Sequence, residues 1–202
     1  EPAPAPAPAP APTTTTTGAT GKITLDFWSS VYGYSTTAIP TTTTPTRTTA
    51  LALFEAPTNS SNNYGQRIRG YVTAPTSGQY TFWIAADDVA ELFLSTSEDP
   101  AQKRKIASTS SWTNSREWTK HSSQQSVKIT LEAGERYYIE ALMVEQGGGD
   151  NLAVGWQLPN GAMERPIAGN RLSELGSTAP VATTEPAPAP APAPAPTTTT
   201  TG

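Results

Sequence analysis

Eighteen residues, EPAPAPAPAPAPTTTTTG, open this chain and recur letter for letter as residues 185–202. In each copy proline takes every second place across eleven residues. A missing N–H at alternate positions rules out a helix or a sheet ladder, and each proline drives its predecessor into extended space. The default is polyproline II, which at about 3.1 Å per residue makes a semi-rigid spacer of roughly 35 Å, with the threonines as a looser joint. The two copies hold 12 of the 20 prolines, so the 166 residues between them keep a globular proline frequency together with all five Trp, seven Tyr and four Phe. The expected organisation is a disordered Pro/Ala/Thr linker over 1–18, one folded domain over 19–176 and a second linker over 177–202. Identical spacers predict a module excised from a tandem array with a period of 184 residues, although a duplicated cloning linker would read the same. Threonines beside proline, as in Thr41 to Thr44 between Pro40 and Pro45, suit an O-glycosylated stalk or an unmodified spacer alike.

Composition removes several kinds of chemistry. The formal charge is −4, and −2 once Glu1 and Glu185 are set aside, so nothing draws the domain to nucleic acid by bulk charge. The chain has no cysteine, which excludes thiol catalysis, zinc–thiolate sites, iron–sulfur clusters and disulfide stapling together. The single histidine, His121, has no second His or Cys with which to share a metal. No apolar run approaches the roughly 20 residues of a membrane span, so no membrane insertion is expected.

Between the linkers, apolar and polar residues alternate in short bursts bounded by Gly, Pro and Asn, the spacing of an all-β sandwich or barrel. Tyr80, Phe82 and Ile84 share one face after a turn at Pro75-Thr76-Ser77-Gly78, and Glu91 to Leu94 follow at once. Val127, Ile129 and Leu131 alternate with polar residues, Glu132 to Glu135 turn the chain, and Tyr137 to Val144 continue it. That pair reads as a β-hairpin. Leu152 to Leu158 form a last burst, closed by Pro159-Asn160-Gly161. No segment reads as a helix of any length.

Two connections stand out, Ala86 to Val89 and Glu145 to Asn151. Each follows a well-patterned strand, so the two would lie at one end of a sandwich if those strands run in the same direction. Adjacent carboxylates on an extended chain point to opposite faces, so Asp87 and Asp88 can share a cation only across a kinked or cis backbone. Three consecutive glycines let carbonyls turn inward, and Gln146 and Asp150 add side-chain oxygens. Oxygen-only donors suit calcium rather than zinc or copper. On composition alone, however, an acidic pair is usually a solvated loop tip and a glycine run a mobile turn.

Further ordered strings sharpen this picture. Asn63 to Pro75, Ser77 to Phe82, Ala86 to Ser95, Gln125 to Leu131, Ala133-Gly134, Tyr137 to Ala141 and Asp150 to Trp156 together resemble the domain family named after the anthrax protective antigen, across about residues 21–175. The resemblance implies a β-sandwich of the kind found in adhesins, flocculin-type lectins, glycosidases and toxins. In lectin members an Asp-Asp pair and a second loop hold one Ca²⁺, and vicinal sugar hydroxyls complete its shell. Carried over by position, the metal ligands are Asp87, Asp88, Gln146, Gly148 and Asp150, the last two through their carbonyls unless Asp150 uses its side chain. Gln146 replaces the flocculin Asn and reaches one methylene further. Sugar would meet Asp87, Asp88, Gln146, Gly147, Gly148, Gly149 and Asn151, with Ser29, Tyr32 and Trp112 as further specificity candidates.

The expected function is calcium-dependent binding of glycans or cell-surface polysaccharide, by a monomeric module repeated along an extracellular adhesin. The alternatives are a structural spacer or protein-interaction domain stabilised by calcium, and a module that targets a secreted glycosidase. Catalysis by the domain itself is not expected, because neighbouring carboxylates fit poorly with pairs placed on opposite sides of a glycosidic bond. Elsewhere, Trp112 and Trp118 are expected in the core, Arg67 and Arg69 on the solvated face of a strand, and Lys103-Arg104-Lys105 in a solvated loop.

Overall fold

The computed structural model describes residues 20–177; the linker expected over 1–18, and all but Ser177 of that expected over 177–202, lie outside the described residues. The strands are β1 (Ile23–Ser29), β2 (Arg47–Leu51), β3 (Tyr64–Thr73), β4 (Gly78–Asp87), β5 (Val89–Leu94), β6 (Arg104–Thr109), β7 (Ile129–Leu131), β8 (Arg136–Glu145), β9 (Asn151–Gln157), β10 (Met163–Glu164) and β11 (Leu172–Ser173). They form two sheets, one ordered β2-β1-β3-β8-β5-β6 with β11 also on β3, the other ordered β10-β9-β4-β7. Every strand pair is antiparallel. The only helices among the described residues are single 3-10 turns.

Alternation dictates what lies between the sheets. From β4, Tyr80, Phe82, Ile84 and Ala86 point inward, and from β8, Tyr137, Ile139, Ala141 and Met143 meet them in one buried cluster. Trp156 of β9 anchors it, its ring 4.9 Å from that of Tyr80 and 5.7 Å from that of Phe82. Large aromatics dominate such a core because each removes so much apolar area from water.

The hairpin expected from Val127–Leu131 and Tyr137–Val144 does not form. β7 pairs with β4 in the smaller sheet, while β8 lies between β3 and β5 in the larger one. β8 is buried along nearly its whole length, so it needs a neighbour on each side, whereas Val127 is 80% exposed and β7 shrinks to three residues at an edge. The intervening turn therefore bridges the sandwich.

The outer face of the larger sheet is partly covered as well. The connection after β1 lays Val31 and Ile39 over Trp28 and Val144 in a second, small apolar cluster. Beneath it Asp26, only 2% exposed, accepts from Arg67 at 3.0 Å and sits 2.9 Å from the Arg69 guanidinium. Arg67 and Arg69 are thus counter-charges to a buried acid rather than a solvated face, because a buried carboxylate is tolerated only when paired. Arg104 and Lys105 likewise belong to β6 rather than to a loop, with Lys103 on Glu140 and Lys105 on Glu91.

Where β11 closes on β3, Gly70 leaves no room: a methyl group there would meet the Ser173 carbonyl and the Ile23 side chain. Gly70→Ala is expected to lower unfolding free energy by about 1–3 kcal/mol, an overpacking cost read as a reduced urea midpoint at unchanged m-value.

Candidate functional site

Two crossings between the sheets lie side by side at one end of the sandwich. β4 ends at Asp87, paired with Asn151 at the start of β9, and β5 begins at Val89, paired with Val144 near the end of β8. The chain therefore steps from one sheet to the other across Asp87–Asp88, and back again across residues 146–150. The Asp87–Asp88 peptide bond is cis. Carboxylate oxygens of Asp87, Asp88 and Glu145 all lie within 4.8 Å of one another.

Glu145, the first residue of the second unusual connection, is not among the metal ligands expected from sequence. The signal was present in the alternation: Ala141, Met143 and Glu145 share a face, so the acid continues the inward row of β8 and ends it in a buried position. No side chain pairs with either of its oxygens, only the Gly147 N–H favouring its charged form; Asp150 Oδ1 has at most the Tyr64 hydroxyl near it, and buried Asn151 Oδ1 has no partner. Buried oxygens met so sparingly are costly unless something else meets them.

Electrostatics reflect the crowding. Burial, then Asp88 and Asp150, push the Asp87 carboxyl up to about 6. Burial, then Asp88, Asp87 and Asp150, push that of Glu145 up to about 7. Burial first, then Asp150 and Glu145, also push up the phenol of Tyr64, whose residue pairs with Glu145 across the sheet. Among the described residues none of Asp87, Asp88, Glu145 and Asp150 has an ion-pair partner, although Asp26, Glu55, Glu91, Glu98, Glu140 and Glu164 all do.

The other expected residues fall around this group in differing ways. The Gln146 amide N–H donates to Asp88 Oδ2 at 3.1 Å. Its side-chain oxygen, expected as a ligand, accepts instead from the Gly33 N–H at 2.9 Å. Gly147, Gly148 and Gly149 are exposed, and Gly148 takes φ +112°, a conformation that a side chain would strain. Asp150 Oδ2 accepts from the amides of Ser60 and Ser61 at 2.6 and 3.2 Å, and its carbonyl accepts from the Asn59 N–H, which locks the loop before β3 to the site. Asn151 Nδ2 donates to the Thr113 carbonyl at 2.8 Å. Ser29 lies two strands from Glu145, on the row that runs through Tyr64, and its hydroxyl shares a hydrogen bond with Thr46.

An open cleft of about 310 Å³ borders the acidic group, lined by Asn59, Asp87, Thr113, Asn114, Gly149 and Asn151 among others. Trp112, expected in the core, is 49% exposed beside this cleft, with the Lys120 ammonium over its ring. The strand faces were already filled by other aromatics, and Thr113, not Trp112, is the buried anchor of this loop.

A carboxyl whose folded-state pKa is raised adds stability at low pH and loses it as pH rises through that value. With chelator present, the unfolding midpoint is expected to be higher at about pH 5.5 than at about pH 7.5, because Asp87 and Glu145 are then more fully protonated, which relieves first the cost of burying their charge and then their repulsion by Asp88 and Asp150. Denaturant titrations across this window check it; a midpoint that climbs with pH would mean that the acids do not repel.

A family model described as the PA14 domain matches residues 18–170. Mouse N-acetyl-beta-glucosaminyl-glycoprotein 4-beta-N-acetylgalactosaminyltransferase 1 is 39% identical over 117 residues, covering 55% of this chain and 11% of that protein. Dog fibrocystin is 33% identical over 115 residues, covering 54% of this chain and 3% of that protein. The chain thus spans a small fraction of the length of these curated relatives. Among solved structures, a PA14 sugar-binding domain from an RTX adhesin superposes with a TM-score of 0.57 at 12% identity, over 76% of this chain and 98% of that one. The Epithelial Adhesin 9 A domain from Candida glabrata, in complex with Galb1-4GlcNAc, superposes with a TM-score of 0.54 at 14% identity, over 77% of this chain and 91% of that one. Sandwich, paired inter-sheet crossings and family match agree, and the chain belongs to the PA14 domain family.

Proposed function

We propose that this domain is a calcium-dependent carbohydrate-binding module of an extracellular or cell-surface adhesin. The observation that carries the reading is the convergence of Asp87, Asp88 and Glu145 within 4.8 Å, with no cationic side chain paired to any of them, beside an open cleft. The donors fit the ion: all are hard oxygens, at irregular positions, and several are buried with few or no partners. Asp87, Asp88 and Glu145 would hold calcium, joined by Gln146, Gly148 and Asp150 of the expected set. The Gln146 side-chain oxygen has two lone pairs, so it can keep the Gly33 N–H and offer the second to the ion. Calcium, when bound, supplies the charge that neutralises these acids and open positions for two adjacent sugar hydroxyls. Asn151 Oδ1 and the exposed glycines 147–149 border the space that such a sugar would occupy, and the absence of side chains on the glycines lets a pyranose ring approach the backbone.

Sugar-binding domains among the structural neighbours support the adhesin reading, and repetition of the domain along one chain would convert weak single-site binding into avidity. A second reading, a glycan-targeting module within a larger enzyme, is favoured by the transferase relative, in which the matched region is a tenth of the chain. Both share the same binding chemistry and place catalysis outside this domain.

Thermal unfolding with calcium, with chelator, and with calcium plus simple hexoses tests the proposal. Calcium at about a hundred times its Kd stabilises by about 2.7 kcal/mol, a rise of roughly 5–10 °C for a domain of this size, and a binding hexose adds to it. Asp88→Asn is expected to abolish most of the calcium shift while leaving the chelated melting point within a few degrees. A calcium shift that no glycan extends would favour a structural spacer, and no shift at all would sink the proposal.

A further inference from the structure

Aromatic side chains are costly to leave in water, and almost all of those in this domain are buried or half-buried. Among the described residues three exceed that limit: Tyr32 at 68% exposure, Tyr34 at 72% and Trp112 at 49%. All three stand on loops hydrogen-bonded to the two inter-sheet crossings. Trp112 precedes Thr113, which donates its N–H to the Ala86 carbonyl at 2.8 Å and accepts from Asn151. Tyr32 and Tyr34 flank Gly33, whose N–H donates to Gln146 Oε1 at 2.9 Å, while Gln146 Nε2 donates to the Val31 carbonyl at 3.5 Å. Gln146 in turn donates its own N–H to Asp88. The Trp112 loop is thus tied to Ala86 and Asn151, the residue before Asp87 and its partner across the sheet, and the tyrosine loop to Gln146, which is itself bonded to Asp88.

The tyrosine loop is also fixed rather than floppy. Val31 is buried against Trp28, Ile39 and Val144, and its N–H donates to the Asn63 carbonyl at 3.0 Å. Gly33 takes φ +108°, and nothing lies within 4 Å of where a side chain would start. Two rings held in solvent on a rigid base lose little conformational freedom when a ligand covers them, which is the property that makes Tyr a frequent contact residue.

We propose that Tyr32 and Tyr34 form a stacking subsite, so that the domain takes an oligosaccharide rather than a single sugar: one ring at the acidic loops and a neighbouring ring against the tyrosines. This rests on the carbohydrate-binding reading above. Pyranose rings present apolar C–H faces that match exposed aromatic faces, whereas their hydroxyls suit the oxygen-lined group next door. The tyrosines set length and linkage preference; the acidic loops set the requirement for adjacent hydroxyls.

Calorimetric titrations of the whole chain in calcium compare glucose with cellobiose and maltose, galactose with lactose, and mannose with α-mannobiose. At least one disaccharide is expected to bind about threefold to tenfold tighter than its monosaccharide, the scale of one aromatic contact. In Tyr32→Ala/Tyr34→Ala that gain disappears, while the calcium-induced melting shift stays at the wild-type value, a reference that reports on the fold and on the acidic loops. Tyr32→Phe/Tyr34→Phe retains the gain, because stacking does not need the hydroxyls. Monosaccharide binding without any gain for disaccharides, or a gain that survives the alanine pair, overturns the subsite and leaves the carbohydrate-binding reading standing. Loss of the gain in the phenylalanine pair overturns stacking as its cause. Failure of every sugar to bind overturns both together.

Discussion

Like charges do not gather without a reason that outweighs their repulsion. Here the reason lies in the backbone: β4 and β8 sit in different sheets, run to the same end, and terminate in Asp87 and Glu145, with Asp88 in the crossing between them. The pairings Asp87 with Asn151 and Val89 with Val144 are sheet contacts stabilised by the whole sandwich, so the acids are brought together by core packing. The carboxyls of Asp87 and Glu145 are pushed up accordingly, by burial first and by the neighbouring acids second. Sites that bind cations or do chemistry are where folds keep such costs.

The rest of that end of the molecule is built around the same group. Asp150 caps the amides of Ser60 and Ser61, Gln146 fastens the Val31–Gly33 backbone, and Asn151 fastens Thr113. Three separate loops are therefore bonded to the two crossings, and each brings a different kind of surface: the polar 58–59 wall of the cleft, the exposed tyrosines and the exposed tryptophan. A rigid scaffold with variable loops at one end lets ligand preference change without disturbing the core.

Away from the site the charges behave in the opposite way. Asp26 is deeply buried yet flanked by Arg67 and Arg69, and Glu140 is met by Lys103. Each of these two buried acids is thus met by at least one cationic side chain. Asp87, Asp88 and Glu145 lack that provision.

The all-β class and the two unusual loops were legible in the residues, since period-two alternation and Gly/Pro punctuation are local and report directly on strands and turns. The alternation of Tyr80, Phe82 and Ile84 named a face that the structure places in the core. Local pattern does not say which sheet a strand joins. Ile129–Leu131 and Arg136–Glu145 looked like partners and lie in opposite sheets, because a strand buried on both faces takes two neighbours wherever the core offers them. Nor does it say which faces are covered: pattern alone puts Arg67 in solvent and Trp112 in the core, whereas packing buries Arg67 and leaves Trp112 half exposed. Glu145 belongs with them: its inward position follows from alternation, but its meeting with Asp87 and Asp88 depends on two crossings between sheets that are almost sixty residues apart in sequence. The amino-acid sequence determined which groups could serve as oxygen donors; only the tertiary structure, by stacking one sheet on the other, decided which of them stand together.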